Sequence, residues 1–353
     1  MIGYYEEALH TPAEVTLLSV WLPLAESTTP LREYRYSITM GKKFRLMTSS
    51  MMADGMPRSL ACLMPKTENS IPTASARLGA ATPDMIADRS RIRGLIVIAH
   101  GFTDGSLSLA HAAERLAAHG FVVAAPSFSD SQNNDTPSPM EHGRRYAVDQ
   151  TALRVVTMEA CVDKMKSTFA AALNGLPTGL IGYSFGADTI RQMSLTCPRL
   201  YVGGPGWRDV MVGEDRPIPT RPPPGGPSVQ LAASEDGLMR LMKLSLDNSS
   251  LLTGFGCPDE RRVVHSVDEL VAKAGERECH LRLSMVDVQQ HGDFKYPPYA
   301  ESERLGWTRA LCGLNPFNPC GKPTDPQVKQ ERADKAADAM IRWLLVVMSP
   351  VDA

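Results

Sequence analysis

GLIGYSFGADTIRQMSL, residues 179–195, is the stretch on which the reading of the fold turns. GLIGYS (179–184) is a short, mostly apolar run, as expected of a strand buried on both faces of a parallel sheet, and ADTIRQMSL (187–195) has the pattern of a helix. Between them lies Gly182-Tyr183-Ser184-Phe185-Gly186, a G-x-S-x-G motif. Five residues of this pattern arise easily by chance. The placement between a buried strand and a helix gives them meaning, because a sharp strand-to-helix turn holds the serine in a strained conformation and needs small residues two before and two after. The turn also aims the next N–H at a reacting oxygen, where the helix N-terminus adds a favourable dipole. Ser184 is therefore a candidate nucleophile, and the Phe185 amide a candidate oxyanion donor. The bland alternative is a glycine-rich turn with an incidental serine.

Outward from this turn, strands and helices alternate. GLIVIAH (94–100) and FVVAAP (121–126) read as strands, with helical patterns at 107–119, closed by Gly120, and at 146–173. LYVGG (200–204), SVQLAA (228–233) and HLRLSMVDV (280–288) read as further strands, and 327–348 places Ala336, Met340, Trp343, Leu344 and Val347 at helical spacing. This alternation predicts a mostly parallel sheet with helices on both faces. Near the start, 15–24, 32–38, 43–50 and 59–65 read as strands from their β-branched and aromatic content. Residues 66–92 read as a surface insertion, 129–139 as a loop, and the Pro/Gly-rich 205–227 as a rim or lid loop. A single domain over 1–353 is expected.

Composition narrows the function classes. Hydrophobic residues make up 43%, charged residues 22%, and the formal net charge is -2 with no sustained basic run, which argues against a nucleic-acid partner. No run of 18 apolar residues predicts a spanning helix. Residues 1–20 carry Glu6, Glu7 and Glu14 without a basic n-region, so they do not read as a secretory signal, and cytoplasm is the default expectation. Seven cysteines are too few for a disulfide scaffold, although Cys312 and Cys320 flank a turn-rich segment and could pair in an oxidising compartment. With no CxxC pair or His-rich tract, no metal or other cofactor is expected, and the partner is a small molecule. Oligomeric state is not legible.

An elbow serine draws its acid and then its base from later in the chain. Of the histidines after Ser184, His265 lies beside a helix-like polar stretch and His280 opens a strand. His291 follows the last strand directly, in QQHGDF, and is the best base by position and order. Asp236, after the 228–233 strand, is the favoured acid, with Glu235 and Asp209 as alternatives. The second oxyanion donor is expected after the 94–100 strand, where Gly101 lets the backbone turn and the Phe102 N–H can face the site. His100, at the end of a buried strand, reads as a loop-ordering residue rather than a base.

At these residues the chain resembles known enzymes. HGFTDGSLSLAHAAERLAAHGFVVAAPSFSDSQ (100–132) and GYSFGADTIRQM (182–193) are similar to the corresponding segments of platelet-activating-factor acetylhydrolases, and the HGF…AHGFVVAAP pattern is similar to chlorophyllases and to dienelactone-hydrolase-like proteins. The match covers about residues 94–195 plus QQHGDF. It implies an α/β-hydrolase fold with N-terminal antiparallel strands and a serine esterase for lipid-like or aromatic esters, with Ser184, His291, Phe102 and Phe185 in the matching roles. The chain departs at two places. Chlorophyllases carry a basic residue where Phe185 stands, and both named enzyme groups tend to place their acid after the strand that here reads LYVGG, near Gly204. The implied substrate is an apolar ester, lined by aromatics such as Phe102, Phe128, Tyr183, Phe185, Trp207, Phe294, Tyr296 and Tyr299. A chlorophyllase-type or phospholipid acyl-ester hydrolase stands as the alternative, and a hydrolase-fold protein that only binds a ligand as the rival from another class.

Overall fold

The computed structural model describes residues 1–12, 14–24, 30–50, 54, 66–75, 78–86, 89–204, 226–234, 263–274, 280–285, 287–289, 291–302 and 325–349. In chain order the strands and helices are β1 (Ile2–His10), β2 (Val15–Pro23), β3 (Glu33–Thr39), α1 (Met40–Ser49), β4 (Lys66–Pro72), β5 (Leu78–Ala80) and β6 (Gly94–Ala99). There follow α2 (Ala110–Ala118), β7 (Phe121–Pro126), α3 (Ala147–Thr168), α4 (Ala170–Leu173), β8 (Thr178–Tyr183), α5 (Phe185–Gln192), β9 (Arg199–Val202) and β10 (Ser228–Ala233). The chain closes with β11 (Val263–Val264), α6 (Val267–Ala274), β12 (His280–Met285), α7 (Pro297–Ser302) and α8 (Pro326–Val347).

Ten of these strands form one sheet in the order β11-β12-β10-β9-β8-β6-β7-β2-β1-β5. From β11 to β7 every pairing is parallel, and β2 runs antiparallel to both β7 and β1. The central strands are buried along their whole length, which is why they read as nearly continuous apolar runs rather than alternations. Successive residues still face opposite sides. Ile96 and Ile98 pack with Leu116 of α2 and Trp343 of α8, whereas Leu95 and Val97 pack with Met158 and Met165 of α3. Among the described residues no helix is long and apolar enough to cross a membrane.

The N-terminal region departs from the sequence reading. KFRLMTSS (43–50), expected to be a strand, lies in helix α1. Its buried residues include Lys42, Lys43, Leu46 and Ser49, so burial runs against hydropathy there. Lys42 reaches the carbonyl oxygens of Asn134 and Thr136 across the loop that follows β7, and those bonds hold the helix in place. The 66–92 segment contains paired strands: β4 joins β3 in an antiparallel ribbon, and β5 adds to the edge of the main sheet beside β1. The expected strand at 59–65 lies outside the described residues.

The ribbon docks on the sheet through a buried polar chain. Trp21 Nε1 donates to the Tyr34 hydroxyl at 2.9 Å, Tyr34 donates to Glu114 Oε1 at 2.5 Å, and the Ala74 N–H donates to the same oxygen at 3.0 Å. Burial pushes the Glu114 carboxyl up to about 7, against which the hydrogen bonds act in the opposite direction. A raised carboxyl means that the folded state holds a proton the unfolded chain releases. Its stabilising share is full below the ordinary carboxyl range and is lost as pH rises through about 7. Glu114→Gln removes this titration, so the variant should gain on wild type between pH 5 and pH 8.5 by about 2–3 kcal/mol. Urea unfolding of both proteins at the two pH values measures the gain. Stability curves that stay parallel across this range would refute it.

Candidate active site

The turn between β8 and α5 has the geometry its sequence predicts. Ser184 sits at φ 53° and ψ -118°, one of two non-glycine residues with positive φ among those described, and it is 5% exposed. Its N–H donates to the Val202 carbonyl at 2.8 Å, fastening the tip of the turn to β9. A Cβ on Gly182 would lie 2.4 Å from the Gly186 carbonyl oxygen, and one on Gly186 would lie 2.0 Å from the carbonyl oxygen of Ala99. Both glycines are thus demanded by the close approach of strand, helix and β6. Holding a serine in this region costs about 1–3 kcal/mol, which the surrounding bonds must offset.

His291 opens a short 3-10 turn, His291–Phe294, after β12. A Cβ on Gly203 would meet both its Cε1 and its Nδ1 at 3.0 Å, and a Cβ on Gly204 would lie 2.9 Å from the Ser184 carbonyl oxygen. The glycine pair after β9 therefore admits the imidazole and the nucleophile turn to one place. Tyr183 stacks obliquely on His291, with centroids 5.1 Å apart, and donates its hydroxyl proton to the His291 carbonyl at 3.0 Å. The turn is held at two further points. Arg332 of α8 bonds Asp293 at 3.0 Å and Gln289 at 2.7 Å, and Lys295 pairs with Asp104 of the loop after β6.

That loop carries the other expected donor. Thr103 is the second positive-φ residue, at φ 61°, next to Phe102, whose ring meets Phe185 edge-on at 6.1 Å. Phe185 is buried with Leu46, Met140 and Ala147, so α1 and the 139–147 segment wall this side of the site. His100 is 1% exposed and accepts the Phe128 N–H on Nε2 at 3.1 Å, while Nδ1 faces the Gly101 carbonyl at 2.7 Å. Such partners require Nδ1 to carry the proton and the ring to be neutral. Burial, followed by the Arg154 charge, holds its pKa well below the usual histidine range. His100 orders the loop, as its position in the sequence suggests.

Behind the loop lies a pair that the sequence reading missed. Arg154 and Asp130 are both 0% exposed and bonded at 2.6 and 2.8 Å. Arg154 falls inside the 146–173 helix pattern, where only apolar spacing was informative.

Of the other expected residues, His265 precedes α6 with its N–H on Glu269 at 2.9 Å, and His280 begins β12. Asp236, Glu235, Asp209 and Trp207 lie outside the described residues, as do Cys312 and Cys320. Most of the aromatics expected to line a pocket are packed as core: Phe128, Tyr183, Phe185, Phe294, Tyr296 and Tyr299 are buried, and Phe102 is the half-buried exception. Among the described residues no group of three or more His, Cys, Asp and Glu side chains gathers to hold a metal ion.

No protein-family model and no curated protein sequence matches the chain. Solved structures do match. A ferulic acid esterase from Streptomyces cinnamoneus superposes with a TM-score of 0.55 and 13% identity, over 97% of this chain and 89% of that one. An acylaminoacyl peptidase from Pyrococcus horikoshii is similar at a TM-score of 0.49 and 9% identity, over all of this chain and 43% of the other. A dienelactone hydrolase from Anabaena variabilis gives 0.40 and 10%, over 80% and 86%. Taken with the sheet order and the strained serine turn between β8 and α5, the likeness to the Streptomyces enzyme gives this chain the α/β-hydrolase fold.

Proposed function

We propose that the protein is a serine carboxylic ester hydrolase. The observation that carries this reading is Ser184, held at φ 53° where β8 turns into α5, with the His291 ring seated against Gly203 at the same end of the sheet. Ser184 Oγ attacks the ester carbonyl while His291 takes its proton. The Phe102 and Phe185 amides hold the oxyanion, and His291 returns the proton to the departing alkoxide. Water, deprotonated by His291, then attacks the acyl-enzyme and releases the acid and Ser184. Asp236 fixes the His291 tautomer and stabilises the imidazolium, with Glu235 and Asp209 as the other carboxylates in the right order along the chain. None of these steps calls on a cofactor.

The substrate is an apolar ester, lipid-like or aromatic. Half-buried Phe102, in the oxyanion loop and packed on the closed Phe185, Leu46 and Met140 cluster, supports this, since each CH₂ buried against an apolar wall contributes about 0.8 kcal/mol. Labelling by a fluorophosphonate tests the chemistry, because it requires an activated serine, and a protein that only binds ligands stays unlabelled. A series of p-nitrophenyl acetate, butyrate, octanoate and palmitate, beside a feruloyl ester and an anionic succinyl ester, tests the substrate. kcat/KM should rise from acetate to butyrate or octanoate, by about threefold or more per added CH₂ where the acyl chain is buried. A preference for the succinyl ester would overturn the apolar reading and direct attention to Arg144, Arg145 and Arg208.

A further inference from the structure

The carbonyl of Gly101 is crowded with donors. His100 Nδ1 reaches it at 2.7 Å, Arg154 Nη2 at 3.1 Å and the Asp104 N–H at 3.3 Å. Arg154 also donates from Nη1 to the His100 carbonyl at 2.8 Å, and its guanidinium lies between two rings, 4.4 Å from the Phe128 centroid and 4.6 Å from that of Phe185. Asp130 accepts from its Nε and Nη2, and Gln150 donates to Asp130 at 2.9 Å. A fully buried cation is costly, and the hydrogen bonds and ring faces around it offset that cost. The two carbonyl partners of Arg154 belong to the loop after β6, and Phe185 is the residue that follows Ser184.

The Gly101 carbonyl belongs to the same planar trans peptide as the Phe102 N–H, and in such a unit C=O and N–H point in opposite directions. Drawing the oxygen towards the buried guanidinium therefore turns the N–H outward, on the side away from Arg154. Charge-assisted donation to the oxygen also polarises the peptide and makes its N–H a stronger donor. The same side chain touches the ring of Phe185, the residue that supplies the other amide. We infer that Arg154, held by Asp130, is the positioning residue of the oxyanion hole: it sets the plane of the Gly101–Phe102 peptide and sharpens its N–H. The inference rests on the ester-hydrolase reading above.

Arg154→Lys, Arg154→Met and Asp130→Asn test it, with active sites counted by fluorophosphonate titration so that kcat refers to folded, reactive enzyme. A lysine cannot span two carbonyls and a bidentate carboxylate together. Removing one oxyanion donor costs about 10²- to 10³-fold in kcat, so misaligning one should cost roughly 10- to 100-fold per titrated site, with KM within about threefold. Butylboronic acid, which Ser184 Oγ converts to a tetrahedral anion, should bind more weakly by the same factor. A role confined to stability would lower the titrated fraction and leave kcat per site and boronate affinity unchanged; that result overturns the inference. Should Arg154→Met not fold, Arg154→Lys and Asp130→Asn decide it by the same two readouts. Failure of the wild type to label or turn over would instead remove the ester-hydrolase reading itself.

Discussion

Ser184→Ala is expected to lower ester turnover by at least about 10³-fold, and by as much as 10⁶-fold if the residues act as one unit. The alanine keeps the Cβ and hence the conformation at φ 53°, and the N–H to the Val202 carbonyl is untouched. The variant should therefore unfold at nearly the wild-type temperature and differ in chemistry alone. Residual activity would come from binding and the oxyanion donors, with water as the attacking group. The measurement is kcat on p-nitrophenyl butyrate beside a thermal melt. A variant retaining more than about a tenth of wild-type kcat would remove Ser184 from the nucleophile role, since loss of a triad nucleophile costs far more than that.

The second large effect separates the acids. Asp236→Asn, Asp209→Asn and Glu235→Gln keep the shape of each side chain, but at the true acid the amide favours the wrong His291 tautomer and leaves the imidazolium unsupported. A loss of about 10³ to 10⁴ in kcat is expected there and little elsewhere. The exits of β9 and β10 both reach the segment that carries His291. Gly203, just after β9, faces the Nδ1–Cε1 edge of its ring, and Ser234 after β10 donates its N–H to the Val288 carbonyl, near the end of the segment that leads to His291, at 2.9 Å. The strand order thus leaves both stations open on geometric grounds. Asp236 is favoured because β9 is followed by two glycines where a carboxylate would otherwise stand. An active Asp236→Asn with a dead Asp209→Asn would move the acid to the earlier strand.

What the sequence revealed of the fold follows from burial on two faces. GLIVIA, FVVAAP and the run into Ser184 are strands without polar interruption, SVQLAA is broken only by Gln230, and each one stands where the sequence puts it, within a residue. The serine turn was legible because its glycines are forced by contacts of 2.0–2.4 Å that no other residue survives. Where buried charge contributes to the structure, hydropathy misled. The 43–50 run reads as a strand from its aromatic and β-branched residues, yet it lies in helix α1, whose buried Lys42 is satisfied by carbonyls far along the chain. β1 escaped notice because Glu6 and Glu7 interrupt it, although Glu6 accepts the Tyr4 hydroxyl at 2.5 Å. Arg154 escaped for the same reason: an arginine in a helix reads as surface until its partners are seen.

The place of β2 in the sheet bears on how the chain is made. β2 lies between β1 and β7, and its Leu18 pairs with Pro126. During synthesis at roughly 5–20 residues per second, β7 follows β2 by about 5–20 seconds, and the open edge of the β1–β2 pair waits that long for its partner. An apolar, unpaired edge invites pairing with other nascent chains. β8 and β9, added later still, must build on β7 and β6 before the nucleophile turn can form. The β2 edge thus stays open for seconds after it is made, and the yield of the protein in a cell depends on what shields that edge as much as on the stability of the finished sheet.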